Sequence, residues 1–314
     1  MDIPKKLINS FAKVTERGAY GASTYKGKND KIAADKAAVD EMRKEINKIN
    51  MKGRVVIGEG EMDEAPMLYI DEKIGTLKGD EFDIAVDPLE GTNFAAKNLP
   101  NALSVLAVAR KGNLLRAPDI YMEKIAIGSN LPKKLVDLDF DVVKNIKLLS
   151  EAKNKKPEDL TVCILKRPRH DKIIKSLNSM NVKINFISDG DVSGVIKVAG
   201  NKPEIDMYIG IGGGPEGVLA AAALKCLNCQ MQTRLVFEND KQKERALKLN
   251  IKDFKKKYYI EDMVKEDVIF STTGVTDGDI LKGIKDSGDF FESETLVLHH
   301  SSKTNNIIKS RIKK

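Results

Sequence analysis

The chain has 314 residues, 41% hydrophobic and 32% charged, a balance that excludes an intrinsically disordered protein and suits one large domain or two ordinary ones. The formal net charge is +7, but the lysines are scattered and no aromatic residues interleave with them. That excludes a single-strand nucleic-acid surface and leaves a basic funnel for an anionic substrate, or a surface kept soluble by charge. Three cysteines exclude a disulfide framework, and the longest aliphatic run, Val218 to Leu224, is too short to span a bilayer, so no membrane partner is expected.

The first residues, Met1 to Lys6, lack the apolar stretch of a secretory signal, and a cytoplasmic location is expected. Leu7, Ile8, Phe11 and Val14 recur at helical spacing over 5–17, and Ala34, Ala37, Ala38, Met42, Ile46 and Ile49 do so over 31–49. Strands are expected at Arg54 to Ile57, 82–87, 102–109, 113–117 and 123–128, then a helix over 140–153. From Leu160 the pattern alternates: strand 160–165, helix 169–180, strand 182–187, helix 191–199, strand 205–211, helix 216–228, strand 234–237. Such alternation implies a parallel sheet with covering helices. A Lys-rich helical stretch over 240–257 follows, and strands at 267–271 and 294–298 close the fold. Lys153-Asn154-Lys155-Lys156-Pro157 is the best boundary, dividing an α+β half (1–155) from an α/β half (156–314) expected to pack as one compact unit.

Chemistry concentrates in two acidic turns. Asp87-Pro88-Leu89-Glu90-Gly91-Thr92 follows the apolar run Ile84-Ala85-Val86, a buried strand that Pro88 is expected to stop. Gly58-Glu59-Gly60-Glu61 follows another strand. Carboxylates gathered at strand ends repel one another, so a cation should sit among them. Mg²⁺ and Mn²⁺ take oxygen ligands and commonly hold phosphate. Asp35 and Asp63 are further acidic candidates, and Thr92 can orient a water or a phosphate oxygen. The ordinary alternative is a solvated turn former, but two such turns after two apolar strands make a metal-dependent phosphatase the stronger reading. Arg167-Pro168-Arg169-His170 opens a helix after a strand, where guanidinium groups and helix N–H groups grip phosphate; His170 by itself reads as structural. Asp189-Gly190-Asp191 follows the next strand and suits sugar hydroxyls or an N-cap. Cys226-Leu227-Asn228-Cys229 has no second Cys/His pair to complete a zinc site and reads as packing.

These motifs together resemble a known family. The Asp87–Thr92 segment is similar to the signature of the lithium-sensitive sugar-phosphatase superfamily. Gly58 to Leu68, Ala117 to Lys124, Pro168 to Asp171, Asp189 to Asp191 and Gly210 to Gly217 resemble the class II fructose-1,6-bisphosphatases, in order and spacing over about residues 5–300. The resemblance implies an α/β sugar-phosphatase fold, a layered α-β-α-β-α sandwich. It also implies metal-dependent hydrolysis of the C1 phosphate of fructose 1,6-bisphosphate in gluconeogenesis. Two or three Mn²⁺ or Mg²⁺ ions would be held by Asp35, Glu59, Asp87, Glu90 and Glu216. Thr92 matches the hydroxyl that positions the attacking water, Asp63 a proton-transfer partner, and Lys31 a basic residue near the metals. Glu90, Gly91, Thr92, Tyr121, Arg167, Arg169, Asp189, Asp191 and Gly213 match substrate positions, and the family suggests a homodimer or homotetramer. The first half would then bind metal and phosphate, and the second the sugar. Sedoheptulose 1,7-bisphosphate and inositol monophosphate are alternative substrates. Departures are few: Gly214 stands where Ala is common, and the segment between Phe237 and Tyr258 is short.

One rival arises from the residues themselves. Gly212 to Gly217 fits G-x-G-x-x-G after a strand, with Glu238 about 20 residues on, as a dinucleotide-binding turn requires. Glu216 counts against it, because its charge at the helix N-terminus repels a pyrophosphate.

Overall fold

The computed structural model describes residues 2–58, 68–200 and 203–314. In chain order the elements are α1 (Ile8–Ser23), α2 (Lys31–Ile46), β1 (Lys52–Ile57), β2 (Lys73–Ile74), β3 (Glu81–Glu90), α3 (Thr92–Lys97), β4 (Leu103–Arg110), β5 (Tyr121–Ile127), α4 (Val142–Lys153), β6 (Thr161–Leu165), α5 (Asp171–Ser179), β7 (Lys183–Ile187), α6 (Asp191–Ile196), β8 (Met207–Gly213), α7 (Gly214–Cys226), β9 (Gln230–Leu235), α8 (Asp240–Lys248), β10 (Lys257–Tyr259), α9 (Ile260–Met263), β11 (Val268–Gly274), β12 (Lys285–Ser287), β13 (Phe290–His299) and β14 (Thr304–Lys313). They form two compact units, Met1–Arg116 with Val264–Lys314, and Ala117–Met263. Among the described residues no helix is long and apolar enough to cross a membrane.

Among its described residues the first unit holds an eight-stranded sheet ordered β12-β13-β11-β4-β3-β1-β2, with β14 paired to β13. Only β1 and β3 run parallel; the other observed pairs are antiparallel. The two N-terminal helices form as their spacing predicts. Phe11, Val14, Val39 and Met42 are buried against Val55, Ile84, Leu106, Val108 and Ile269. Asp30 starts α2 by accepting a hydrogen bond from Ala33 N at 2.9 Å. The helices meet backbone to backbone, since a Cβ at Gly21 would lie 2.2 Å from the Ala37 carbonyl oxygen.

Among its described residues the second unit holds a six-stranded sheet ordered β10-β9-β5-β8-β6-β7. β6 pairs parallel with β7 and with β8, and β5 pairs antiparallel with both β8 and β9. Hence β6, β7, β8 and β9 share one direction, as the alternation implied, while β5 intrudes between β8 and β9 and β10 runs against them. A core of Ile125, Ile146, Leu149, Val162, Ile164 and Met207 fills one cluster. α7 is buried on every side from Gly217 to Leu224, which accounts for its unbroken apolar run.

Several sequence expectations change in place or extent. Residue 155 falls inside the second unit, between α4 and β6, because β5 joins the second sheet and β11 to β14 return to the first. The strand expected at 113–117 is a single bridge, Leu114 to Val264. Gly112 has a φ of 83° and turns the chain there, and Pro118 brings no donor. The helix over 240–257 stops at Lys248, where Asn250 takes a φ of 65° and Ile251 N closes back on Ala246 O at 2.9 Å. β14 was missed because its polar residues are exposed on a sheet edge and leave little apolar alternation.

Candidate active site

In the first unit the acidic strand β3 lies between β1 and β4, so Ile84, Ala85 and Val86 are buried on both faces. Pro88 does not stop it. Asp87 pairs with Val105 and Glu90 with Leu103, so β3 takes one residue more than β4 over the same step. This bulge absorbs a residue that has no N–H for the ladder. Leu89 N turns back to donate to Asp87 Oδ1 at 3.1 Å. Gly91 then adopts φ 79° and ψ 51°, a left-handed conformation, and caps α3, of which Thr92 is the first residue. A Cβ at Gly91 would also meet the Phe94 ring at 2.8 Å.

Glu90 is 4% and Asp35 8% exposed, and Asp87 and Thr92 are half-buried. Asp35 is carried by α2, which packs against both β3 and α3, so helix and acidic strand end belong to one region of the fold. Lys31 is the exposed first residue of α2. Glu59 and Asp63 lie outside the described residues, and among those described no three His, Cys, Asp or Glu side chains come close enough to form a metal site. The donors present are carboxylates, hard oxygen ligands that suit Mg²⁺ or Mn²⁺ rather than a thiophilic ion.

In the second unit the substrate candidates gather at one end of the sheet. Arg167 follows β6, Asp189 follows β7, and Gly213 ends β8, the carboxyl ends of three strands of common direction. Tyr121 begins the antiparallel β5 and pairs directly with Gly213. The Arg169 guanidinium lies 4.6 Å from the Tyr121 ring centroid and donates through Nε and Nη2 to Ile211 O at 3.1 and 2.7 Å. Arg167 Nη2 donates to Ser188 O at 2.7 Å, beside Asp189. Glu216 stands in the first turn of α7. Burial raises its carboxyl pKa, Lys124 opposes that shift, and Asp191 and Asp119 add to it. The helix after Asp189 is capped by Gly190, which makes no side-chain cap bond, so neither aspartate is its N-cap.

His170 is structural, as expected, and its task is visible. β8 pairs with β6 only at Met207 and Tyr208. Beyond that point His170 bridges the gap: its Nε2 accepts from Ile211 N at 2.8 Å, so its Nδ1–H donates to Leu165 O at 2.6 Å. Burial holds its pKa below the usual histidine value, keeping the ring neutral. Gly210 leaves room for that ring, since a Cβ there would lie 3.2 Å from His170 Cε1.

The glycines of the dinucleotide rival are likewise accounted for by packing. Cβ atoms at Gly212, Gly214 and Gly217 would lie 2.2 Å from Asp191 Oδ2, 3.1 Å from Ile120 O and 2.5 Å from Met122 Sδ. β9 is separated from β8 by β5, whereas the expected nucleotide unit has adjacent strands. Cys226 and Cys229 are buried, and burial pushes the Cys229 thiol up to about 11. Sequence reasoning gave no role to Lys124 or Tyr208. Lys124 has the parity of buried Met122 and Ala126 along β5, a lysine among core positions, and that was the available signal.

Residues 5–312 match the model of a family described as bacterial fructose-1,6-bisphosphatase, glpX-encoded. A Haemophilus influenzae protein named fructose-1,6-bisphosphatase class 2 is 41% identical, covering 96% of this chain and 94% of its own length. A Synechococcus protein named D-fructose 1,6-bisphosphatase class 2/sedoheptulose 1,7-bisphosphatase is 38% identical over 95% of this chain and 93% of its own. Among solved structures, the extragenic suppressor protein suhB of Bartonella henselae has a TM-score of 0.35 and 13% identity, covering 61% of this chain and 74% of that one.

Proposed function

The chain belongs to the bacterial fructose-1,6-bisphosphatase family, and we propose that it hydrolyses the C1 phosphate of fructose 1,6-bisphosphate to fructose 6-phosphate and inorganic phosphate, a gluconeogenic step. The observation that carries this reading is the family match across residues 5–312, which takes in every acidic, hydroxyl and arginine position named above.

Asp35, Glu59, Asp87, Glu90 and Glu216 are the residues that would hold two or three Mn²⁺ or Mg²⁺ ions. When bound, such ions supply charge neutralisation at the phosphate and a more acidic water. The remaining work falls to the chain itself. The Thr92 hydroxyl orients the attacking water, and Asp63 moves a proton. The backbone N–H groups of Gly91 and Thr92 face the scissile phosphate, and Lys31 offsets charge beside it. Arg167 and Arg169 hold the distal phosphate, with Arg169 aligned by the Tyr121 ring and the Ile211 carbonyl. Asp189, Asp191 and Gly213 complete the sugar site. A cytoplasmic location and a homodimer or homotetramer are part of this proposal, checked by cell fractionation and by light scattering.

Phosphate release from fructose 1,6-bisphosphate with Mn²⁺, Mg²⁺ or EDTA tests the reading. Metal-dependent release is expected, and silence on this substrate with turnover of inositol 1-phosphate would refute it. A second reading, that sedoheptulose 1,7-bisphosphate is also hydrolysed, is favoured by the name of the Synechococcus relative and is read in the same assay.

A further inference from the structure

Thr92 opens α3, a helix of only six residues. A helix that short does not hold itself together in water. Gly91 makes no side-chain cap bond, and the first turn is closed by Phe94 N and Ala95 N, which donate to Gly91 O at 2.8 and 3.2 Å. The buried side chains, Ala95 and Ala96, are small and contribute little apolar area. The far end of the helix is held from outside. Gly27 N donates to Ala95 O at 3.0 Å, and Asn29 N donates to Ala96 O at 2.8 Å. Two of the last carbonyl groups of α3 are thereby engaged by the loop between α1 and α2.

That loop is shaped to make both bonds. Gly27 has a φ of 76° and Asn29 a φ of 57°, both left-handed, while Lys28 N between them donates to Tyr25 O at 3.1 Å. Lys26 Nζ ties the same loop to Ile284 O at 3.2 Å, and Asp30 then caps α2, the helix that carries Lys31 and Asp35. Asn29 is exposed, and a Cβ at Gly27 would meet only Asn98 Cβ, at an ordinary 3.5 Å. Packing therefore does not require these two residue types; the left-handed backbone does.

We propose that Gly27 and Asn29 are positioning residues for the reaction: their backbone N–H groups anchor α3 and so fix the Thr92 hydroxyl against the acidic end of β3. The inference rests on the proposed function, because it takes Thr92 as the group that orients the attacking water.

The test compares Asn29→Val, Asn29→Gly and Gly27→Ala with the wild type, each alone and in a Thr92→Ala background. KM and kcat are read on fructose 1,6-bisphosphate with Mn²⁺, and folding by circular dichroism. A β-branched residue is a poor occupant of a left-handed position, so Asn29→Val displaces the N–H from Ala96 O. It is expected to lower kcat about tenfold or more, since a displacement of about 1 Å costs up to about 10²-fold. KM should stay within about threefold, because no uniform substrate contact is lost. Asn29→Gly keeps the left-handed turn and should hold kcat within about twofold of the wild type. Gly27→Ala should lower kcat by less than Asn29→Val, which preserves the test if Asn29→Val does not fold. In the Thr92→Ala background Asn29→Val should cost less than about threefold more, because both changes act on one group. An equal loss with and without Thr92 would make the loop a support of the fold alone and overturn the proposal, as would wild-type kcat in a folded Asn29→Val protein. Failure of the functional reading is seen separately: a wild type that releases no phosphate from fructose 1,6-bisphosphate removes that reading and this inference with it.

Discussion

Replacing Gly213 by alanine isolates the position of one carboxylate. Gly213 has φ −67° and ψ 146°, an extended conformation that alanine adopts freely, so the backbone gives no reason for glycine. The reason is the side chain of Glu216, whose Oε2 would lie 1.9 Å and Cδ 2.7 Å from the new Cβ. Ordinary contact begins at 3.4 Å, so the carboxylate must withdraw by about 1.5 Å. Metal–ligand distances tolerate only about 0.2 Å, so a carboxylate moved that far no longer serves the same ion. The expected cost is about 10- to 100-fold in Mn²⁺ affinity, or about 1.4 to 2.7 kcal/mol. The fold should survive, because the atom that must yield is the free end of a flexible side chain. Mn²⁺ titration by water-proton relaxation and the melting temperature in EDTA measure the two quantities separately. Wild-type Mn²⁺ affinity in a folded Gly213→Ala protein would refute the reasoning and remove Glu216 from the ligand set.

Thr92→Ala should lower kcat by about 10²-fold or more while Mn²⁺ binding is kept, as for a contact made in the transition state; near-normal turnover would exclude Thr92 from the reaction. Arg169→Ala should raise KM with kcat nearly unchanged, because a remote phosphate is held equally in ground and transition states; a loss confined to kcat would place Arg169 at the reacting phosphate. Glu16, buried on α1, offers a prediction outside the site. Burial raises its carboxyl pKa more than hydrogen bonds from Ser310 and Ser293 lower it. The folded state then binds the proton more tightly, so this group's contribution falls as pH rises from the ordinary carboxylate range through the folded value. Glu16→Gln should therefore raise the melting temperature at pH 7 and lose that advantage below about pH 4; equal midpoints at pH 7 would contradict it.

The same glycines support two readings from sequence and one from structure. Gly212, Gly214 and Gly217 fit a nucleotide-binding turn by spacing, but each one's missing Cβ is space occupied by the buried Asp191 carboxylate, by backbone carbonyl oxygens or by the Met122 sulfur. The spacing could not distinguish a backbone that approaches a phosphate from one that makes room for Asp191 and the packed strand β5. The difference lies in what the neighbouring strand and helices carry, and those are distant in sequence.

Much of this protein was legible because the signals are local. Helix starts show in Asp30 and Asp141, whose side chains accept from Ala33 and Lys144. The buried strand before Asp87, the turn at Gly91 and the common direction of the strands from 161 to 235 follow from periodicity and turn chemistry over a few residues. What tertiary structure decided was partnership. It inserted β5 between β8 and β9, brought β11 to β14 back to the first sheet, and carried β3 past Pro88 by a bulge against β4. It also gave Lys124 an acid 67 residues away in Asp191. A strand's neighbour and a buried charge's counter-charge are chosen by the free energy of desolvating them together, and no window of adjacent residues contains both members of the pair.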